Sequence, residues 1–124
     1  MIYNKHKEYR LKFYQNLVTR KKPIDNYLNK LGKKERAKIA KYLEVFRTND
    51  NLLTFSLAKH IRGKIWELRI DFLNKRYRLL YCILDRQLII LHVFLKKTAK
   101  TPNSEILMAQ KRYNEVLKYK QIYE

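Results

Sequence analysis

From Ile65 to Phe72 the chain alternates strictly. Trp66, Leu68, Ile70 and Phe72 would fall on one face of an extended segment, and Ile65, Glu67, Arg69 and Asp71 on the other. An α-helix, with its 3.6-residue period, cannot sort residues this way, so the middle of the chain is committed to a sheet. Two more runs of strand character follow at short intervals: Arg76 to Leu84 after Leu73-Asn74-Lys75, and Leu88 to Leu95 after the short hairpin connection Asp85-Arg86-Gln87. The last run is apolar on both faces except at His92, the pattern of a strand flanked on both sides.

Helical spacing surrounds this sheet. Arg10 to Tyr14 reads as a first strand, and Pro23 then suits the first turn of a helix that places Ile24, Tyr27, Leu28 and Leu31 on one side and ends at Gly32. A second helix is expected from about Lys33 to Arg47. Ile39, Ala40, Leu43 and Phe46 form its buried stripe, with Lys34, Arg36, Lys38 and Lys41 mainly outside, and Asn49-Asp50-Asn51 breaks it. Thr101-Pro102 opens a final helix with Thr101 as cap and a stripe of Ile106, Ala109, Tyr113 and Leu117. The order β-α-α-β-β-β-α describes an α+β fold with a small, mostly antiparallel sheet packed by helices. Its 124 residues suffice for one domain, 1–124, without repeat or linker. The start, Met1 to Arg10, has no apolar signal-peptide core, and the longest apolar run is far short of the ~20 residues that span a bilayer. A cytoplasmic protein without membrane partners is therefore expected. The one cysteine, Cys82, excludes an internal disulfide framework and reads as a small buried hydrophobe.

Charge narrows the partners. Lys and Arg number 29 against 11 Asp and Glu, a net +18, whereas solubility of a small domain asks for a magnitude of only about 2–8. Polyanions are the natural counterpart. Ten Tyr accompany the cations and favour nucleic acid, since aromatic rings stack on exposed bases.

Strand parity gathers some of that charge. With Trp66 and Leu68 turned inward, Glu67 and Arg69 point to the opposite, exposed face; an antiparallel neighbour can bring Arg78 beside Arg69, and Lys96 and Lys97 follow the last strand. Planar guanidinium groups converging in this way suit phosphate oxygens. A Glu67–Arg69 or Glu67–Arg78 ion pair on a solvated sheet would fit the same pattern. His60 sits in a cationic loop, Lys59-His60-Ile61-Arg62-Gly63, whereas His92 is expected to be a hydrogen-bonded core or rim residue. No His, Asp or Glu spacing marks a metal site, and two glycines cannot make a phosphate-binding loop, so neither metal nor cofactor is expected.

Together these residues resemble a known superfamily. Lys59-His60, Gly63, Trp66-Glu67-Leu68-Arg69 and Arg76-Tyr77-Arg78-Leu79-Leu80-Tyr81 are similar to the RelE/ParE toxins. Leu91-His92-Val93-Phe94-Leu95-Lys96-Lys97-Thr98, Lys100-Thr101-Pro102, Ser104-Glu105-Ile106 and Ala109 resemble the phage-related HigB-like branch, as does Pro23-Ile24 with Tyr27-Leu28 and Leu31. The likeness runs from about Leu11 to Leu117. It implies a compact RelE-like fold and the toxin of a type II toxin–antitoxin system that cleaves mRNA in the ribosomal A site. It also implies a HigA-like helix-turn-helix antitoxin as partner, with the free toxin a monomer. Residue by residue, Arg78 matches the arginine near the scissile phosphate, Arg69 a basic position on the preceding strand, and Lys97 the cation after the last strand. Two positions depart from RelE itself: Glu67 stands where a basic residue is usual, and the aromatic of the last helix falls near Leu107.

Metal-free RNA cleavage through the 2′-hydroxyl needs a base, cations on the crowded phosphate and an acid for the leaving 5′-oxygen. The two departures leave the acid and base open; we expect Arg69, Arg78 and Lys97 to supply the electrostatics, with Glu67 the candidate base and His60 the candidate acid, while Lys59, Arg76 and Lys96 hold RNA. ParE-like members poison DNA gyrase instead, which makes a binding poison without nuclease activity the alternative. A degenerate phage protein that only binds nucleic acid or an antitoxin is a third reading.

Overall fold

The computed structural model describes residues 8–48 and 57–120. Its elements are β1 (Arg10–Phe13), α1 (Pro23–Asn29), α2 (Lys33–Arg47), β2 (Ala58–Arg62), β3 (Ile65–Phe72), β4 (Lys75–Leu84), β5 (Gln87–Leu95) and α3 (Asn103–Lys118). The five strands form one mixed sheet in the order β1-β5-β4-β3-β2. Four consecutive strands are joined by hairpins and pair antiparallel, and β1 alone runs parallel to its neighbour, Arg10 opposite Gln87 and Phe13 opposite Ile90. The α+β fold is as expected, with one strand more. The segment Ala58–Arg62, expected as a cationic loop, is the edge strand β2, so the order is β-α-α-β-β-β-β-α. Edge strands are commonly blunted with charge, and Lys59, His60 and Arg62, all exposed, hide the alternation that would have announced this one.

The core lies on both sides of the sheet. On one face the register aligns Trp66 with Tyr81, Leu68 with Leu79 and Ile70 with Tyr77. The α2 helix covers this face through Ile39, Leu43 and Phe46, whose ring meets Tyr81 edge-on at 5.2 Å. On the other face α3 buries Ile106, Ala109 and Val116. Its stripe steps by three from Tyr113 to Val116, so Leu117, expected inside, lies exposed. Ala40, also expected inside, is exposed on α2. The strand β5 has neighbours on both sides, and Leu88 to Leu91 are wholly buried, as the doubly apolar run predicts.

Two helix boundaries differ from expectation. The α1 helix begins at Pro23 but stops at Asn29, capped by Lys30. Gly32, with φ −62° and ψ 158°, instead caps the start of α2 in extended backbone. Likewise Pro102, not Thr101, occupies the cap position of α3. The expected break at Asn49-Asp50-Asn51 lies outside the described residues, as does most of the Met1 to Arg10 start. Among the described residues no helix is long and apolar enough to cross a membrane.

Candidate functional site

The pairing of β3 with β4 sets Arg69 opposite Arg78, Asp71 opposite Arg76 and Glu67 opposite Leu80, all on the face that α3 covers only in part. On β2, Lys59 stands opposite Glu67 and so joins that face. Just beyond β5, Lys96 is tied by its backbone N–H to the Arg76 carbonyl at 2.8 Å. Burial holds the Lys96 ammonium below the ordinary lysine value; Glu67 opposes that shift, whereas the nearby charges of Arg78, Lys59 and Arg69 add to it. Lys59, Arg69, Arg78 and Lys96 therefore share one field, with a single carboxylate, Glu67, acting on Lys96 from within it.

Arg78 is the most constrained of these cations. It is 6% exposed, and its Nη1 donates to Asp71 Oδ1 at 3.0 Å and to the Tyr77 carbonyl at 2.9 Å. Its buried Nε has no hydrogen-bond partner among the described residues. A guanidinium fixed at one nitrogen is held in a set orientation at the cleft, preorganised toward an anion there. Arg69, by contrast, is exposed. The two arginines and Asp71 form one wall of a cleft of about 310 Å³, with Lys38 and Tyr42 of α2 and Leu57 completing it.

Glu67 departs from expectation. Alternation predicts an exposed carboxylate, yet Glu67 is 0% exposed. The segment after β5 folds back over it, and Thr101 Oγ1 donates to Glu67 Oε2 at 2.5 Å. The residue expected to cap α3 is thus spent on the sheet. Glu67 Oε1 is buried without a hydrogen-bond partner among the described residues, and the carboxylate also acts on the Lys96 ammonium.

The other expected site residues divide. Arg76 is exposed at the rim opposite Asp71. Lys97 is exposed one residue past Lys96. His60 does not join the cluster. It is register-paired with Trp66, and the two rings lie 5.0 Å apart on the face opposite Glu67, while His60 Nε2 meets the Gly63 carbonyl at 2.8 Å. His92 is the hydrogen-bonded rim residue expected: Nε2 lies 2.6 Å from Glu105 Oε1, and Nδ1 lies 3.2 Å from Arg112 Nη1. Because Arg112 can only donate, Nδ1 accepts and the proton sits on Nε2. Burial lowers the His92 pKa and favours this neutral form.

The sequence reading did not single out Asp71, Thr101, Lys38 or Tyr42 for the site. Asp71 was visible in the alternation, since it shares parity with Glu67 and Arg69; the α2 residues needed the tertiary fold. No group of three or more His, Cys, Asp or Glu side chains comes together among the described residues, and the cluster is cationic, which does not suit a metal ion.

The family model described as Phage derived protein Gp49-like (DUF891) matches residues 26–114, from within α1 to near the end of α3 and including every site element. No curated protein matches the chain.

Proposed function

The chain belongs to the Gp49-like family of RelE-like type II toxin–antitoxin toxins, and from that premise we propose that it is a ribosome-dependent mRNA endonuclease of the HigB-like kind. The observation that carries this reading is the pair Arg69 and Arg78 at one cleft, Arg78 buried and locked by Asp71, with Lys96 near enough to feel both arginines and Lys59. In the reaction the RNA 2′-oxygen attacks the adjacent phosphorus and loses its proton to a base. The new O2′–P bond forms as the P–O5′ bond breaks, leaving a 2′,3′-cyclic phosphate and a 5′-hydroxyl end. Arg78 and Arg69 stabilise the charge that gathers on the phosphate oxygens.

We place the proton acceptor at Lys96 rather than Glu67. Lys96 is partly exposed and its ammonium is destabilised, so its neutral amine is easier to reach than in an ordinary lysine. Glu67, sealed beneath Thr101, sets how far that shift goes. Lys59, Arg76 and Lys97 hold neighbouring phosphates, and the leaving oxygen takes its proton from the water of the open cleft. His60, on the far face, has no chemical role in this scheme. The family implies an antitoxin partner; a HigA-like protein with an acidic contact surface is the one the cationic face would take, the free toxin being a monomer.

The test is to induce the chain in a bacterium beside an Arg78→Ala control and map mRNA 5′ ends within minutes. New ends inside translated codons are expected with the wild type. The variant should cleave on the order of 10²–10³-fold more slowly. Growth arrest without new ends, accompanied by loss of gyrase supercoiling, would replace the nuclease with a ParE-like poison.

A further inference from the structure

The cleft has two walls of different chemistry. Arg69, Asp71 and Arg78 form one, while the other is built by α2, where Lys38 and Tyr42 lie four residues apart and so on one helix face. Leu57 lies between them, held by a 2.9 Å bond from the Arg69 N–H to its carbonyl. Lys38 fixes the second wall to the sheet: its Nζ donates to the Asp71 carbonyl and stands 5.5 Å from the Tyr42 ring centre and 5.9 Å from that of Phe72. Tyr42 is half-buried and lines the same cleft as the guanidiniums of Arg69 and Arg78.

A cleft with phosphate donors on one side and a fixed aromatic ring on the other fits a nucleotide whose base is free to stack. Its volume of about 310 Å³ is at the small end of ligand clefts, near the lower bound of about 300 Å³. That admits one nucleotide and excludes a helix. We propose that Tyr42 is the stacking platform for the base next to the phosphate held by Arg69 and Arg78, which makes this cleft a reader of unpaired RNA. The inference rests on the nuclease reading for its choice of RNA, but it concerns binding and can be tested apart from cleavage.

The probe is a short single-stranded RNA carrying 2-aminopurine, whose fluorescence is quenched on stacking, titrated with the full chain at low salt. Wild type should quench it, and the same RNA in a duplex should not be quenched. Tyr42→Phe should keep the quenching and the affinity. Tyr42→Ala should lose the quenching and bind about tenfold more weakly. Tyr42→Leu, which keeps apolar bulk against Lys38 and Phe72, should lose the quenching while melting like the wild type, so that a folding defect is told from a lost platform. Absence of quenching by wild type, or its persistence in Tyr42→Leu, overturns the inference. Quenching that depends on Tyr42 in a protein that cuts no RNA would leave the platform standing and remove the nuclease. Cleavage without Tyr42-dependent quenching would do the reverse.

Discussion

Glu67 and His92 are both polar residues of the sheet face beneath α3, and they solve the cost of burial differently. Glu67 keeps one oxygen bonded to Thr101 and leaves the other to the field of Lys96. His92 spends both ring nitrogens on neighbours and stays neutral. That neutrality has a pH signature. The folded-state pKa of His92 lies below its ordinary value of 6.5, with burial the largest cause. As pH falls through about 6.5 the unfolded chain takes up a proton at His92 that the folded chain resists, and stability falls until the lower folded value is passed. His92→Gln, which can still donate to Glu105, should remove this component: between pH 7 and pH 5.5 the urea midpoint of the wild type should fall further than that of the variant. Equal losses in the two proteins would mean that His92 is not the group responsible.

The hairpins of the sheet show what alternation can and cannot announce. Between β2 and β3 the turn passes through Gly63 at φ +55°, and a Cβ there would meet nothing within 4 Å. The cost of Gly63→Ala is therefore backbone alone, about 1–2 kcal/mol. It should appear as a lower urea midpoint with an unchanged slope; no shift would mean that the turn relaxes to another conformation. The strands β3, β4 and β5 were legible from the alternation of β3 and the apolar runs of β4 and β5, and parity allowed the Arg69–Arg78 juxtaposition that the register then supplies. The edge strand β2 was not, because its exposed cations leave no apolar alternation to read. Parity also placed Glu67 on the correct face but could not say that the chain after β5 would return to cover it. Nor could spacing along one helix show that Lys38 and Tyr42 of α2 meet β3 and β4, since that contact exists only once α2 is laid against the sheet.

Across the whole molecule the charge of +18 is not spread evenly in its effects. Many cations are exposed and solvated, but the charges of Lys59, Arg69 and Arg78 all act on Lys96. Each phosphate they neutralise releases counterions, and for single strands the logarithm of affinity falls by about 0.7 per phosphate for each tenfold rise in salt. Four such contacts predict about a fifty-fold loss of RNA affinity between 50 and 200 mM monovalent salt. Arg69→Gln should flatten the slope by about one contact. A slope near zero in the wild type would show that the cleft cations do not meet phosphate.

The parallel seam between β1 and β5 joins residues that are made far apart in time, since Arg10 has to wait for Gln87. Chains emerge from the ribosome amino end first, so β1 remains without its partner until β5 has been made. Lys96 and Thr101 come later still, as does α3, which covers part of the site face. Non-local pairing of this kind is also slow to form. A nascent copy therefore cannot close this seam, or cover Glu67 with Thr101, until the chain beyond β5 has been made.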